Sequence, residues 1–187
     1  TYFGDIPSGP SFVKPRTWIA KRNEEKRDTM EDDVSQSLIY MIWNVPEIGT
    51  YEASALELAA GTLSGGKNSP LYKELVYKQQ IATSAYSYYY GREIAGQFII
   101  SIQVAKDQDP EFVEKEAMKV INKFLKTGPD NKLLANEKTE TYADAIFGLQ
   151  RIGGFGGKAD ILASYETYFG DPDFYFKEAK DYLEMTS

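Results

Sequence analysis

Histidine and cysteine are both absent from this 187-residue sequence, and the two absences together remove most of the common catalytic centres. Without imidazole there is no Ser-His-Asp or Cys-His arrangement, no His-ligated zinc and no ready general base near neutral pH. Without thiols there are no disulfides, thiolate metal sites or cysteine nucleophiles. The compartment stays open, because a cysteine-free chain suits oxidising and reducing milieus alike. Positive charge is also in deficit. The sequence has 21 Lys and Arg against 28 Asp and Glu, a net charge of -7, and the basic residues are scattered among the acidic ones. A phosphate backbone would be repelled, which argues against nucleic acid as a partner. No apolar run approaches the roughly 20 residues that span a bilayer, and no signal peptide is evident.

What is present suffices for one domain, since 42% of the residues are apolar and a chain of this length can bury a real core. Residues 1–15 carry Pro7, Pro10 and Pro15 with two glycines, a composition that sustains neither helix nor central strand. We read residues 1–24 as a linker leading in from a preceding domain, and 25–187 as a single α+β domain. Its expected form is two-layered, mainly antiparallel, with helices on one face of the sheet. Arg27 to Val34 suits a polar edge strand, and the continuous apolar run Leu38 to Trp43 a central strand beside it. Ile81–Tyr90 and Gln97–Ala105 form a hairpin, with Phe98, Ile100, Ile102 and Val104 on one face of its second strand.

Helices are signalled by their caps. Thr50 caps a segment to about Gly61, with Leu56, Ala59 and Ala60 inward. Ser69 with Pro70 opens a short one to Lys78. Asp109-Pro110-Glu111 starts a helix with Val113, Ala117, Val120, Ile121 and Phe124 at helical spacing, which Gly128-Pro129 stops. Asp130 caps the next, which runs past Ala143, Ile146 and Leu149. Two more are expected at Ala159–Tyr168 and Phe174–Glu184. Thr-Tyr-Phe-Gly-Asp occurs at residues 1–5 and again at 167–171; the flanks do not align, and we treat the recurrence as coincidence.

Two glycine clusters invite a nucleotide-binding reading. In GTLSGGKNSP, Gly61 stands five residues before Gly66 as in a P-loop, but Asn68 replaces the magnesium-binding hydroxyl after Lys67, and the preceding run reads as helix rather than strand. It is a turn between helices, or a loop presenting backbone amides to a peptide. In RIGGFGGKAD, Ile152 and Ala159 occupy the required glycine and hydroxyl positions, so the four glycines serve tight turns with Phe155 as a plug. Glu31, Asp32 and Asp33 lack calcium-loop spacing and read as solvated charge. Tyr86, Tyr88 and Tyr90 share one strand face, either as an amphipathic surface for a peptide or as half-buried tyrosines packed under a helix.

The glycine loop followed by Ser69, Leu71, Tyr72, Glu74 and Leu75, then Ile81 and Ala82, resembles the non-catalytic domain of the pitrilysin/insulinase-type zinc metallopeptidases. YFGDIPSGP resembles the junction after that family's first domain. GLQRIGGFGGKADILASYETYFGDPDFY is similar to a segment near the end of the second domain in long bacterial members. The resemblance implies a substrate-enclosing partner domain with no catalytic residue and no metal of its own, zinc being held by a separate H-x-x-E-H domain on the same or a partner chain. It also implies a peptide substrate, and it favours a periplasmic or other extracytoplasmic location over the cytoplasm. Candidate peptide-binding residues are Ser64, Gly65, Gly66 and Lys67 as a loop facing the chamber, and Tyr86, Tyr88 and Tyr90 as a contact surface or the edge to which a peptide strand adds. Where family members often place an Arg and a Tyr seven residues apart, this sequence has Val76 and Thr83, and Pro70 follows the Ser where an Arg is usual. Valine has no donor, and threonine lacks a phenol's reach toward an oxyanion. The alternative expectation is a scaffold or assembly module of the same fold whose parent has lost proteolysis. A nucleotide-dependent enzyme is a third.

Overall fold

A computed structural model describes residues 4–7, 9–10 and 13–186. The first copy of Thr-Tyr-Phe-Gly-Asp and the YFGDIPSGP junction fall partly outside those residues. Three strands form an antiparallel sheet: β1 (Leu38–Val45), β2 (Ala82–Tyr90) and β3 (Gly96–Val104), in the order β1-β3-β2. β3 is therefore the central strand, and β1, expected in the middle, lies at an edge. The apolar run that suggested a central strand in fact alternates in exposure along β1. Arg27 to Val34 forms no strand; its polar residues turn to surface ion pairs instead, Arg27 meeting Glu114 at 2.6 Å and Glu25 at 2.6 Å.

Helix α1 (Tyr51–Ser64) starts where the Thr50 side chain accepts from Ala53 N–H. It runs one turn beyond the expected end, taking in Gly61 and Ser64, and buries Ala53, Leu58, Ala60 and Leu63, while Leu56 and Ala59 are only partly buried. A short helix follows and widens into a π-helical segment (Tyr72–Lys78), with Gln79 N–H donating to the Glu74 carbonyl at 3.0 Å. Ser69 does not cap it as expected, its hydroxyl donating back to the Gly66 carbonyl at 2.8 Å. Helices α2 (Pro110–Thr127) and α3 (Asn131–Gly148) are capped by Asp109 and Asp130, as their sequences dictate. Then come α4 (Lys158–Phe169), closed by the left-handed Gly170, and α5 (Phe174–Glu184).

Alternation along the paired strands assigns two faces. The inner face carries Ile39 and Met41 of β1, Phe98, Ile100, Ile102 and Val104 of β3, and Ala85 of β2. Against it pack Leu63 of α1, Leu71 and Leu75 at the π-helical segment, and Val113, Ala117 and Ile121 of α2. The domain is thus α+β, with the sheet as one layer and the helices as the other. A second, smaller cluster of Leu58, Leu134, Tyr182 and Met185 joins α1 to α3 and α5.

Between α3 and α4, Gly154 and Gly156 adopt φ of +83° and +70°, so this glycine cluster makes the expected turns. Phe155 is no plug, being 96% exposed. Near by, Tyr165 donates to the half-buried Glu178 of α5, whose carboxyl burial pushes above the ordinary range. A carboxyl with a raised folded-state pKa contributes stability below its ordinary pKa, and that contribution fades as the pH rises through the raised value. Glu178→Gln keeps an acceptor for Tyr165 without the charge. It is expected to match wild type near about pH 4 and to melt about 2 °C higher at about pH 8, read by circular dichroism.

Candidate functional site

Ser64 closes α1 with its side chain turned toward β2, so it belongs to the helix and is buried rather than forming part of an exposed loop. Ser87 N–H donates to Ser64 Oγ at 2.6 Å, and Ser87 Oγ donates to the Ala60 carbonyl at 2.9 Å. The Ser64 hydroxyl in turn has the Ser87 carbonyl within 3.3 Å. β2 is an edge strand, and this bond shows that Ser87 turns its backbone groups outward, as every second residue of an antiparallel edge does. Ser64 therefore occupies the free edge at its middle. An added peptide strand is left two short stretches, one on either side of Ser87, the longer being the part of β2 before it.

That part borders a shallow, half-open pocket of about 170 Å³. Ser64, Gly66, Lys67 and Tyr86 line it, four of the seven residues expected to meet a peptide. Tyr72 of the π-helical segment and Thr83, which sequence reasoning did not place here, line it as well. Gly65 and Lys67 are exposed, and Gly66 turns the chain with φ of +70°. Val76 instead packs against the inner core. Tyr77 is 73% exposed and Lys78 pairs with Glu74 at 2.9 Å, and neither residue lines the pocket.

Tyr88 and Tyr90 lie beyond the pocket on the outer face of the sheet, with Tyr86 at its rim. The three are 41–61% exposed. The helices packed on the sheet lie on its other face, so these tyrosines do not sit under a helix. The buried-tyrosine arrangement belongs to Tyr89, whose hydroxyl donates to the Pro46 carbonyl at 2.8 Å and whose pKa burial and the nearby carboxylates of Glu57, Glu47 and Glu178 push up to about 12.

The register extends this face across the sheet: Leu38, Tyr40, Ile42 and Asn44 on β1, Gln97, Ile99, Ser101 and Gln103 on β3, and Ser84, Tyr86, Tyr88 and Tyr90 on β2. None of these side chains is charged, although 26% of the chain is. Leu38, Tyr40 and Ile42 are 47%, 56% and 52% exposed. Sequence reasoning missed the β1 contribution because it took that strand as buried on both sides, and a run apolar at every position from Leu38 to Trp43 carries no alternation to signal otherwise. At the hairpin end, Arg92 lies 4.7 Å over the Tyr90 ring and donates to its hydroxyl at 3.0 Å.

Among the described residues no three acidic side chains gather into a set that could hold a metal ion. With histidine and cysteine absent, the chain supplies no fit for a zinc ion. Among the described residues, no helix is long and apolar enough to cross a membrane.

A family model described as the peptidase M16 inactive domain matches residues 1–141. The chain belongs to this family. The match takes in the glycine loop, the π-helical segment and all three strands, the region whose motifs resemble the non-catalytic peptidase domain, and it ends before the second glycine cluster. Among solved structures the M16 inactive domain is similar to a protease from Helicobacter pylori, with a TM-score of 0.73 and 22% identity over 83% of this chain and 37% of that one. It is also similar to a peptidase M16 inactive domain from Pseudomonas fluorescens, at TM-score 0.67 and 21% identity over 82% of this chain and 36% of the other. The periplasmic protease PqqL from Escherichia coli matches at TM-score 0.66 and 11% identity, over 83% of this chain and 17% of its own. At these identities the likeness is one of fold. The M16 inactive domain spans little more than a third of the length of the Helicobacter and Pseudomonas chains. No curated protein matches the sequence.

Proposed function

We propose that this M16 inactive domain is a non-catalytic, substrate-enclosing wall of a larger zinc-dependent metallopeptidase that degrades peptides. The observation that carries the reading is the uncharged outer face of the sheet, where six large apolar or aromatic side chains stand 41–61% exposed. An apolar surface of that kind, left open, marks an interaction site. Tyrosines suit it to unstructured polypeptide, since each ring offers apolar area and each phenol a hydrogen-bonding tip. In this reading Gly65, Gly66 and Lys67 form the rim of the pocket at the edge, Ser64 fixes that rim to β2, and Tyr86, Tyr88 and Tyr90 contact the peptide's side chains. Residues 1–24 link to a preceding domain and 25–187 form the wall. An H-x-x-E-H domain on the same or a partner chain holds the zinc, and the parent works in the periplasm or a comparable compartment.

The test is binding of a fluorescein-labelled unstructured peptide, read by anisotropy. Replacing Tyr86, Tyr88 and Tyr90 together by alanine is expected to weaken binding at least about tenfold with the circular dichroism spectrum unchanged, because none of the three contributes to the inner core. The chain alone should leave the peptide uncut. Unchanged affinity in the triple variant would remove the outer face from the function, and chelator-sensitive cleavage by the chain alone would end the non-catalytic reading.

A further inference from the structure

We infer that residues 13–22 form a basic collar at one end of the uncharged sheet face, and that the face favours polypeptide segments carrying acidic side chains next to apolar ones. The inference rests on reading that face as a peptide-binding wall. The segment Val13-Lys14-Pro15-Arg16-Thr17-Trp18-Ile19-Ala20-Lys21-Arg22 holds four basic residues and no acidic one. Since the whole chain is at -7, the remaining residues total about -11, so this segment runs against the net sign of the rest of the chain.

Three contacts pin the segment across the hairpin end of the sheet. Lys14 Nζ meets Glu93 Oε1 at 3.2 Å. Trp18 N–H donates to the Ile94 carbonyl at 3.2 Å. The Ala20 carbonyl accepts from Asn44 Nδ2 at 2.9 Å. Asn44, Gln97 and Tyr90 stand side by side there as the last row of the outer face, so Ala20 docks onto that face itself. Trp18 is 65% exposed and adds an aromatic surface beside it. Among the described residues Arg16, Lys21, Arg22 and Arg92 pair with no carboxylate. Of the neighbouring acids, Glu93 is taken by Lys14 and Glu25 by Arg27, which leaves Glu24 and, just past β1, Glu47 against these four cations. A segment lying on an uncharged face meets this surplus of positive charge where it leaves the sheet. Acidic residues there gain an attraction that basic ones lose.

Two labelled unstructured peptides with one apolar core, flanked by aspartates or by lysines, test this by anisotropy on the full 187-residue chain. At low salt the aspartate peptide is expected to bind about tenfold more tightly, and the ratio should shrink toward parity at about 0.5 M salt. The variant Arg16→Glu/Lys21→Glu/Arg22→Glu is expected to abolish or reverse the ratio. Lys123→Glu/Lys126→Glu/Lys132→Glu, an equal charge change on the helix side, should preserve it. Equal binding of the two peptides, or a ratio unmoved by the collar variant, overturns the inference while leaving the wall itself standing. Failure of both peptides to bind overturns both. Tighter binding of a single-stranded oligonucleotide than of the aspartate peptide would also overturn it, assigning the collar to phosphate.

Discussion

Replacing Ile102 by alanine is expected to cost about 4 kcal/mol, a large share of the stability of a domain this size. Ile102 has no exposed surface. It sits in the central strand with Ile39 of β1 on one side and Ala85 of β2 on the other, and it belongs to the cluster that joins the sheet to Leu71, Leu75, Val113 and Ala117. One neighbour in the sheet is already an alanine, and strands fixed by ladders on both sides cannot close over the gap, so the cavity term should be near its upper range. Urea unfolding should show the midpoint falling by roughly 1.5 M at an unchanged slope. A loss below about 1 kcal/mol would mean that this layer is not the core.

Gly96→Ala should cost nearly as much, about 3 kcal/mol, for the opposite reason. A Cβ at Gly96 would stand 2.6 Å from the Pro46 carbonyl oxygen and 2.6 Å from the Tyr89 ring. The first is backbone and has little freedom to withdraw; the second is held by its hydrogen bond to the same carbonyl. Relief therefore requires separating β1 from the start of β3 or breaking the Tyr89 bond, which leaves a half-buried phenol without its partner. Thermal melts of the Gly96→Ala and Tyr89→Phe variants and of the double variant give the coupling. If the double variant is no worse than Gly96→Ala alone, the clash acts through that bond.

How much of this was legible in the sequence follows the range of the forces involved. Caps at Thr50, Asp109 and Asp130 act within three residues, and each marks its helix start in the structure. The hairpin was visible from alternation and a glycine turn. Strand order was not, because an apolar run such as Leu38–Trp43 does not reveal that its second face will be left open rather than buried. The extra turn of α1 escaped for a related reason. Glycine normally ends a helix, yet Gly61 continues one here, where its missing side chain admits the Glu137 carboxyl of α3. Of the candidate site, Ser64, Gly66, Lys67 and Tyr86 converge on one pocket although 19 positions separate Lys67 from Tyr86. The convergence arises from the π-helical return between them, and no local pattern announces it. The collar was hidden because residues 13–22 have linker composition, and linker composition says nothing about where a chain docks.

The seal that Ser64 places on Ser87 also bears on edge-to-edge assembly of the sheet. A nine-residue edge strand rich in tyrosine is a template on which another extended chain could assemble, and successive additions of that kind build fibrils. With the amide and carbonyl of Ser87, one residue past its centre, already engaged by a helix, β2 offers only short, interrupted stretches for pairing. A hydroxyl in the last turn of α1 thereby shortens the stretch of sticky edge on which another chain could add.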